Sequence, residues 1–115
     1  MTRGGHLIIS KIQYKNMFVK MYSYKIKQSD FQKWKKINNA AKKIYTKYGG
    51  GNSKVLIKKG GNFIKIIELD FYKFKKDFLK ITTQVDQNKK INKLYQEFLA
   101  IVYQKKITQE DFETF

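Results

Sequence analysis

The sequence predicts an α+β domain in which an antiparallel sheet of four strands, in βαββαβ order, carries helices on one face. Three observations lead there. Residues 29–48 place Phe31, Trp34, Ile37, Ala41, Ile44, Tyr45 and Tyr48 on one helical stripe, and the run stops at Gly49-Gly50-Gly51. Two β-rich runs, 53–59 and 62–69, are separated by Gly60-Gly61, the punctuation of a hairpin. The second of these runs is apolar on both faces, so both faces call for a cover.

Each element has its local reason. Residues 17–27 are rich in aromatic and β-branched side chains and read as the first strand. Ser29-Asp30-Phe31-Gln32 fits a capping box that opens the first helix. Lys33, Lys35, Lys36, Lys42, Lys43 and Lys47 fall mostly off its apolar stripe, in water, and the glycines accept the left-handed conformation that ends it. In the third strand, Ile64, Ile66 and Glu68 share one face; Phe63, Lys65, Ile67 and Leu69 share the other.

Asp70 is the expected N-cap of a helix running to about Thr82, with Phe71, Phe74, Phe78 and Ile81 as its inner stripe. Thr82-Thr83-Gln84 interrupts the pattern. Asp86 is the expected cap of a further helix carrying Ile91, Leu94, Tyr95, Phe98, Leu99 and Val102. Residues 105–115 read as the last strand. The result is the ferredoxin-like split arrangement, with the domain assigned to residues 17–115. Residues 1–16, with Gly4-Gly5 and Leu7-Ile8-Ile9, read as an N-terminal extension or an added edge strand.

Composition narrows the chemistry. The 115 residues suit one domain, and 42% hydrophobic residues are enough for a packed core. With no cysteine, disulfides, thiolate catalysis and Cys-based metal sites are excluded. A single histidine, His6, disfavours a His-clustered metal site or a Ser-His-Asp triad, so neither metal nor cofactor is expected. No apolar run reaches the ~20 residues of a membrane span, and the N-terminus lacks a secretory apolar region, so a cytoplasmic protein without membrane contact is expected.

The formal charge is +16, from 25 basic and 9 acidic residues, and it is uneven. Residues 1–67 carry +15 and residues 68–115 only +1. Such a field attracts polyanions, so non-specific nucleic-acid binding through the lysine-rich surface is expected. All but Arg3 of the basic residues are lysine, however, and arginine makes the bidentate contacts to phosphate and guanine. A solvated lysine surface therefore outweighs a selected nucleic-acid face.

Phe31-x-x-Trp34, Ala40-Ala41 and Ile44-Tyr45-x-x-Tyr48-Gly49 resemble the first helix and glycine stop of dimeric α+β barrel proteins, which include the antibiotic-biosynthesis-monooxygenase-like domains. Residues 63–69 are similar to their third strand, 71–81 to the helix after it, and 94–98 to the short helix before the last strand. The resemblance implies a homodimer with two sheets face to face. Many members of that family have no assigned reaction, and some act on small aromatic substrates without metal or prosthetic group. The resemblance therefore implies binding of a small apolar or aromatic molecule, with such an activity as one expectation. Haem-degrading members use a late histidine, and none follows His6 here.

Tyr22, Tyr24 and Tyr45 are candidates to line a cavity between sheet and helices. Trp34 on the helix stripe and Glu68 near the end of strand three join them as pocket candidates. A carboxylate beside a cavity is the usual requirement for a general base, but Asp70 is already occupied as a cap in this reading. Phe31, Trp34, Ile44, Phe74 and Phe98 are expected to build the helix-side core. Either Phe63/Ile67/Leu69 or Ile64/Ile66 should face a partner.

Two other readings compete. Lys59-Gly60-Gly61-Asn62-Phe63-Ile64-Lys65-Ile66 partly matches the third-strand signature of the RNA-recognition motif, which shares the βαββαβ order. An accessory dimer without catalytic activity is the third.

Overall fold

The computed structural model describes residues 15–115. The expectations for His6 and for a strand at Leu7-Ile8-Ile9 lie outside the described residues. The elements are β1 (Phe18–Lys27), α1 (Phe31–Lys47), β2 (Ser53–Gly60), β3 (Phe63–Tyr72), α2 (Lys75–Asp86), α3 (Lys89–Ile101) and β4 (Thr108–Glu113), with short 3₁₀ turns at Gln28–Asp30 and Tyr103–Lys105. The strands order β2-β3-β1-β4, all neighbours antiparallel, which is the ferredoxin-like sheet.

Alternation along the strands sorts the side chains. Phe18, Tyr22, Tyr24 and Ile26 of β1 share the helix side with Ile64, Ile66, Glu68, Asp70 and Tyr72 of β3, as the register pairs them. Two clusters form there. Tyr24, Ile26, Ile64 and Ile66 pack with Trp34, Ile37 and Ile101. Phe18 and Tyr72 pack with Ile81 and Val85 of α2. Ile26, Ile64, Ile66 and Val85 are the most completely buried, and each such side chain contributes about 1.5–3 kcal/mol relative to exposure.

The other face is only partly covered: Val19 there is 4% exposed, while Met21, Ile67 and Leu69 are half-buried. It carries Met21, Ile67, Leu69, Leu56 and Phe112, aligned by the ladders Met21–Leu69 and Ile67–Leu56; Leu56 and Phe112 are 54% and 46% exposed. Of the two strand-three sets, Ile64/Ile66 faces the helices and Phe63/Ile67/Leu69 faces outward. The hairpin loop is Gly61-Asn62 rather than Gly60-Gly61. Gly61, at φ +58°, takes the first loop position, where a II′ turn needs glycine.

Four expectations about caps and helix ends are corrected. The Ser29 capping box is absent: Gln28–Asp30 forms a 3₁₀ turn, and α1 starts at Phe31 without a side-chain cap bond. Asp70 is not a cap but lies inside β3, which runs on to Tyr72 because it pairs with β1 as far as Phe18. Helix α2 starts at Lys75, where the Asp77 carboxylate accepts from the Phe74 N–H at 3.2 Å. It continues through the expected break, since the Thr82 and Thr83 hydroxyls donate back to the Phe78 and Leu79 carbonyls at 2.8 and 2.7 Å. Asp86 ends α2, and Asn88 caps α3 by accepting from the Lys90 N–H at 2.9 Å.

Trp34 is buried, and Phe31, Ile44 and Phe98 pack against the clusters as expected. Phe74 does not: as the residue before α2 it is 51% exposed. Among the described residues no helix is long and apolar enough to cross a membrane.

Candidate ligand-binding cavity

A cavity of about 240 Å³ lies between the helix-side face of the sheet and helices α1 and α3. Each wall follows from its element's period. Helix α1 repeats every three to four residues and sends Trp34, Ile37, Asn38, Ala41, Lys42 and Tyr45 toward the sheet. Alternation does the same for Tyr22 and Tyr24 on β1, and for Glu68, Asp70 and Tyr72 on β3. Leu94 and Phe98 of α3 close the apolar side, and Gln109 of β4 adds an amide. All five residues singled out from the sequence, Tyr22, Tyr24, Trp34, Tyr45 and Glu68, line this one space.

A chain of hydrogen bonds fixes one wall. The Trp34 indole N–H donates to the Tyr24 hydroxyl at 2.8 Å, and that hydroxyl donates to Glu68 Oε2. Tyr24 and Trp34 are almost fully buried, so each polar atom needs such a partner. The chain orients Glu68 and holds Oε2 as an acceptor. Trp34→Phe should therefore cost about 1–3 kcal/mol, from a lost indole ring edge and an unmatched Tyr24 lone pair. Urea denaturation followed by circular dichroism measures this, and an unchanged midpoint would mean that the chain adds nothing to stability.

Asp70 is the group that the sequence reading placed wrongly. Its cross-strand neighbour on β1 is Lys20, but the Lys20 ammonium is bound to Asp111 on β4 at 2.8 Å. No hydrogen bond or ion pair reaches the Asp70 carboxylate among the described residues. Burial, followed by the charge of Glu68, pushes its carboxyl up to about 7. Burial also raises Glu68, and the Tyr24 hydrogen bond takes part of that rise back. Burial, with Asp70 as the next cause, raises the hydroxyls of Tyr22, Tyr72 and Tyr45, the last to about 12. The tyrosines thus stay neutral donors at physiological pH. The Asp70 carboxyl is thus poised to hold or release a proton near neutrality, and burial shifts Glu68 in the same direction. Among the polar liners missed from the sequence were Tyr72 and Asp70. Extending the alternation of Glu68 by two and four residues would have found both.

These walls define a small ferredoxin-like α+β protein with a single-tryptophan, carboxylate-bearing cavity under its helices. No family model matches the sequence, and no curated protein matches it. Solved structures do share the fold. A NIPSNAP family protein of unknown function from Agrobacterium tumefaciens superposes with TM-score 0.69 at 10% identity, over 88% of this chain and 90% of that one. A protein provisionally named an antibiotic biosynthesis monooxygenase, from Nitrosomonas europaea, gives 0.65 at 10% identity, over 86% and 90%. A dimeric ferredoxin-like protein from an uncultured marine organism gives 0.61 at 13%, over 89% and 90%. The fold is therefore the one that the helix and strand patterns resembled, that of the antibiotic-biosynthesis-monooxygenase-like proteins.

The RNA-recognition reading asks for exposed rings at the centre of the outward sheet face. Met21, Ser23, Ile67 and Leu69 stand at that centre, while the rings of this face, Phe63 and Phe112 among them, lie toward its ends.

Proposed function

We propose that the protein is a homodimer that binds a small aromatic molecule in this cavity and oxidises it as a cofactor-independent monooxygenase-like enzyme. The observation that carries the reading is the cavity itself: an aromatic, mostly apolar space with a carboxylate pair on one wall. Engineered cavities of about 150 Å³ hold benzene, so 240 Å³ has room for a substituted or fused pair of rings. The scarcity of metal-ligating residues, one histidine and no cysteine, favours chemistry drawn from the substrate.

Glu68 is the proton acceptor in this reading, since Tyr24 holds one oxygen and leaves the other for substrate. Removing a proton from a CH₂ flanked by a ring and a carbonyl leaves an electron-rich carbanion that reduces O₂ directly. One oxygen atom then becomes the new C=O and the other leaves as water with the two hydrogens, so the four electrons come from the substrate. A second copy covers this outward face, where Leu56 and Phe112 are exposed in the single chain and Met21, Ile67 and Leu69 are half-buried. The dimeric neighbour of the same fold supports this.

Trp34 is the one tryptophan and lines the cavity, so its emission reports occupancy. Titration with 2-tetralone, whose C1 methylene is flanked by ring and carbonyl, should quench it saturably. Ala41→Phe, which fills the cavity, should abolish that quenching. Oxygen uptake should accompany 2-tetralone turnover and disappear in Glu68→Gln. Light scattering should give twice the chain mass. Quenching that never saturates would remove the ligand-binding reading; saturable binding without oxygen uptake would remove only the oxygenase step.

A further inference from the structure

We infer that the ligand of this cavity carries a positive charge, an ammonium group on its aromatic body, and that Asp70 is its counter-ion within a cage of tyrosine rings; this rests on the ligand-binding reading above. The inference begins from an inversion of charge. The chain has only nine acidic residues against 25 basic ones, yet the charged groups lining the cavity are Glu68, Asp70 and one lysine, Lys42. Lys42 is exposed on α1 and so stays hydrated, whereas both carboxylates are part-buried on the sheet. In a protein whose outer field repels cations, the cavity is the place that prefers them.

The surroundings of Asp70 match that charge. Tyr22 from β1, Tyr45 from α1 and Tyr72 from β3 lie close enough for its charge to act on all three hydroxyls, but none hydrogen-bonds to it among the described residues. The ring faces of such tyrosines attract cations, and aromatic cages are a recurrent solution for ammonium groups. The carboxylate supplies the directional partner that the rings lack. Every other charged group near Asp70 is already engaged or points elsewhere: Lys20 of β1 is bound to Asp111 of β4, and Glu68 of β3 is bound to Tyr24. A ligand N–H donor would pair the Asp70 carboxylate, which no hydrogen bond or ion pair reaches among the described residues, and an unpaired part-buried carboxylate is costly. Glu68 keeps the role of proton acceptor, so the two carboxylates divide binding and chemistry.

A matched set on one skeleton tests this with the whole chain: 2-aminotetralin as the cation, 2-tetralol as the neutral isostere and tetralin-2-carboxylate as the anion, each titrated against Trp34 emission. At pH 8 the amine should bind about tenfold more tightly than the alcohol, with the carboxylate weakest. Asp70→Asn should bring amine and alcohol to within about twofold, while Glu68→Gln should keep most of the preference. Lowering the pH to 5.5 should shrink the preference in the unaltered protein, because Asp70 then holds a proton; this arm needs no variant to fold. Equal or weaker binding of the amine, with the alcohol still bound, overturns the charge inference and leaves the cavity reading standing. If no member of the set binds, both fall.

Discussion

Ile64→Lys is expected to leave the chain unfolded at 25 °C, whereas Ile67→Lys should fold normally and fail to dimerise. The two residues sit three apart on the same strand and point to opposite faces. Ile64 is 1% exposed in the apolar cluster of Tyr24, Ile26, Trp34 and Ile66. Burying an unpaired charge there, and losing the isoleucine contacts, costs several kcal/mol, which is comparable to the ~5–15 kcal/mol that holds a domain of this size together. Ile67 pairs in register with Ser23 and Leu56 on the outward face, where a lysine can reach water in the monomer but not between two sheets. Circular dichroism and light scattering on both variants separate the outcomes. A folded Ile64→Lys protein would place the core elsewhere, and an Ile67→Lys protein with the parent's mass would leave the outward face without a partner.

Asp70→Asn should make the protein more stable at pH 8 and flatten its pH dependence between about 4 and 7. The sign follows from linkage. The Asp70 carboxyl titrates at about 7 in the folded protein against 3.8 when free, so the folded state holds the proton more tightly. Its contribution is favourable below pH ~4, is lost as pH rises toward 7, and is unfavourable above. About three pH units at 1.36 kcal/mol each set a ceiling of about 4 kcal/mol, and solvent reaching this part-buried group brings the expected gain to about 1–2 kcal/mol. The same burial raises Glu68, so both carboxylates push stability downward as pH climbs. Urea midpoints for both proteins at pH 5, 6, 7 and 8 measure the effect. Parallel curves, equally steep in parent and variant, would show that Asp70 does not titrate in this window. A stability gain on removing a charged side chain would also mark it as retained for function rather than for folding.

Much of this was legible in the residues, and the exceptions share one cause. Helix α1 was readable because a helical stripe and a glycine stop are local signals, carried by Trp34, Ile37, Tyr45 and Gly49 within one stretch of chain. The β2–β3 hairpin was readable for the same reason. The five pocket candidates also came from local period, since a helix face and two alternating strands decide which way Tyr22, Tyr24, Trp34, Tyr45 and Glu68 point.

What failed were the caps. Ser29, Asp70 and Asp86 each stand where a side-chain oxygen commonly starts a helix, a local preference worth about 1 kcal/mol. Asp70 instead joins β3 because its backbone pairs with Lys20 on one side and Ser53 on the other. Those ladders, together with burial of Tyr72 at the strand's end, outweigh a single cap. No local pattern contains that pairing, since its partners are distant in sequence. The sequence by itself therefore determined the order and type of the elements and the face that each presents, which are properties of neighbouring residues. Only the tertiary structure decided the register that sets Tyr22 opposite Glu68, the diversion of Lys20 to Asp111, and the resulting isolation of Asp70 in a cavity, because pairing and desolvation are settled between segments that meet only in the folded chain.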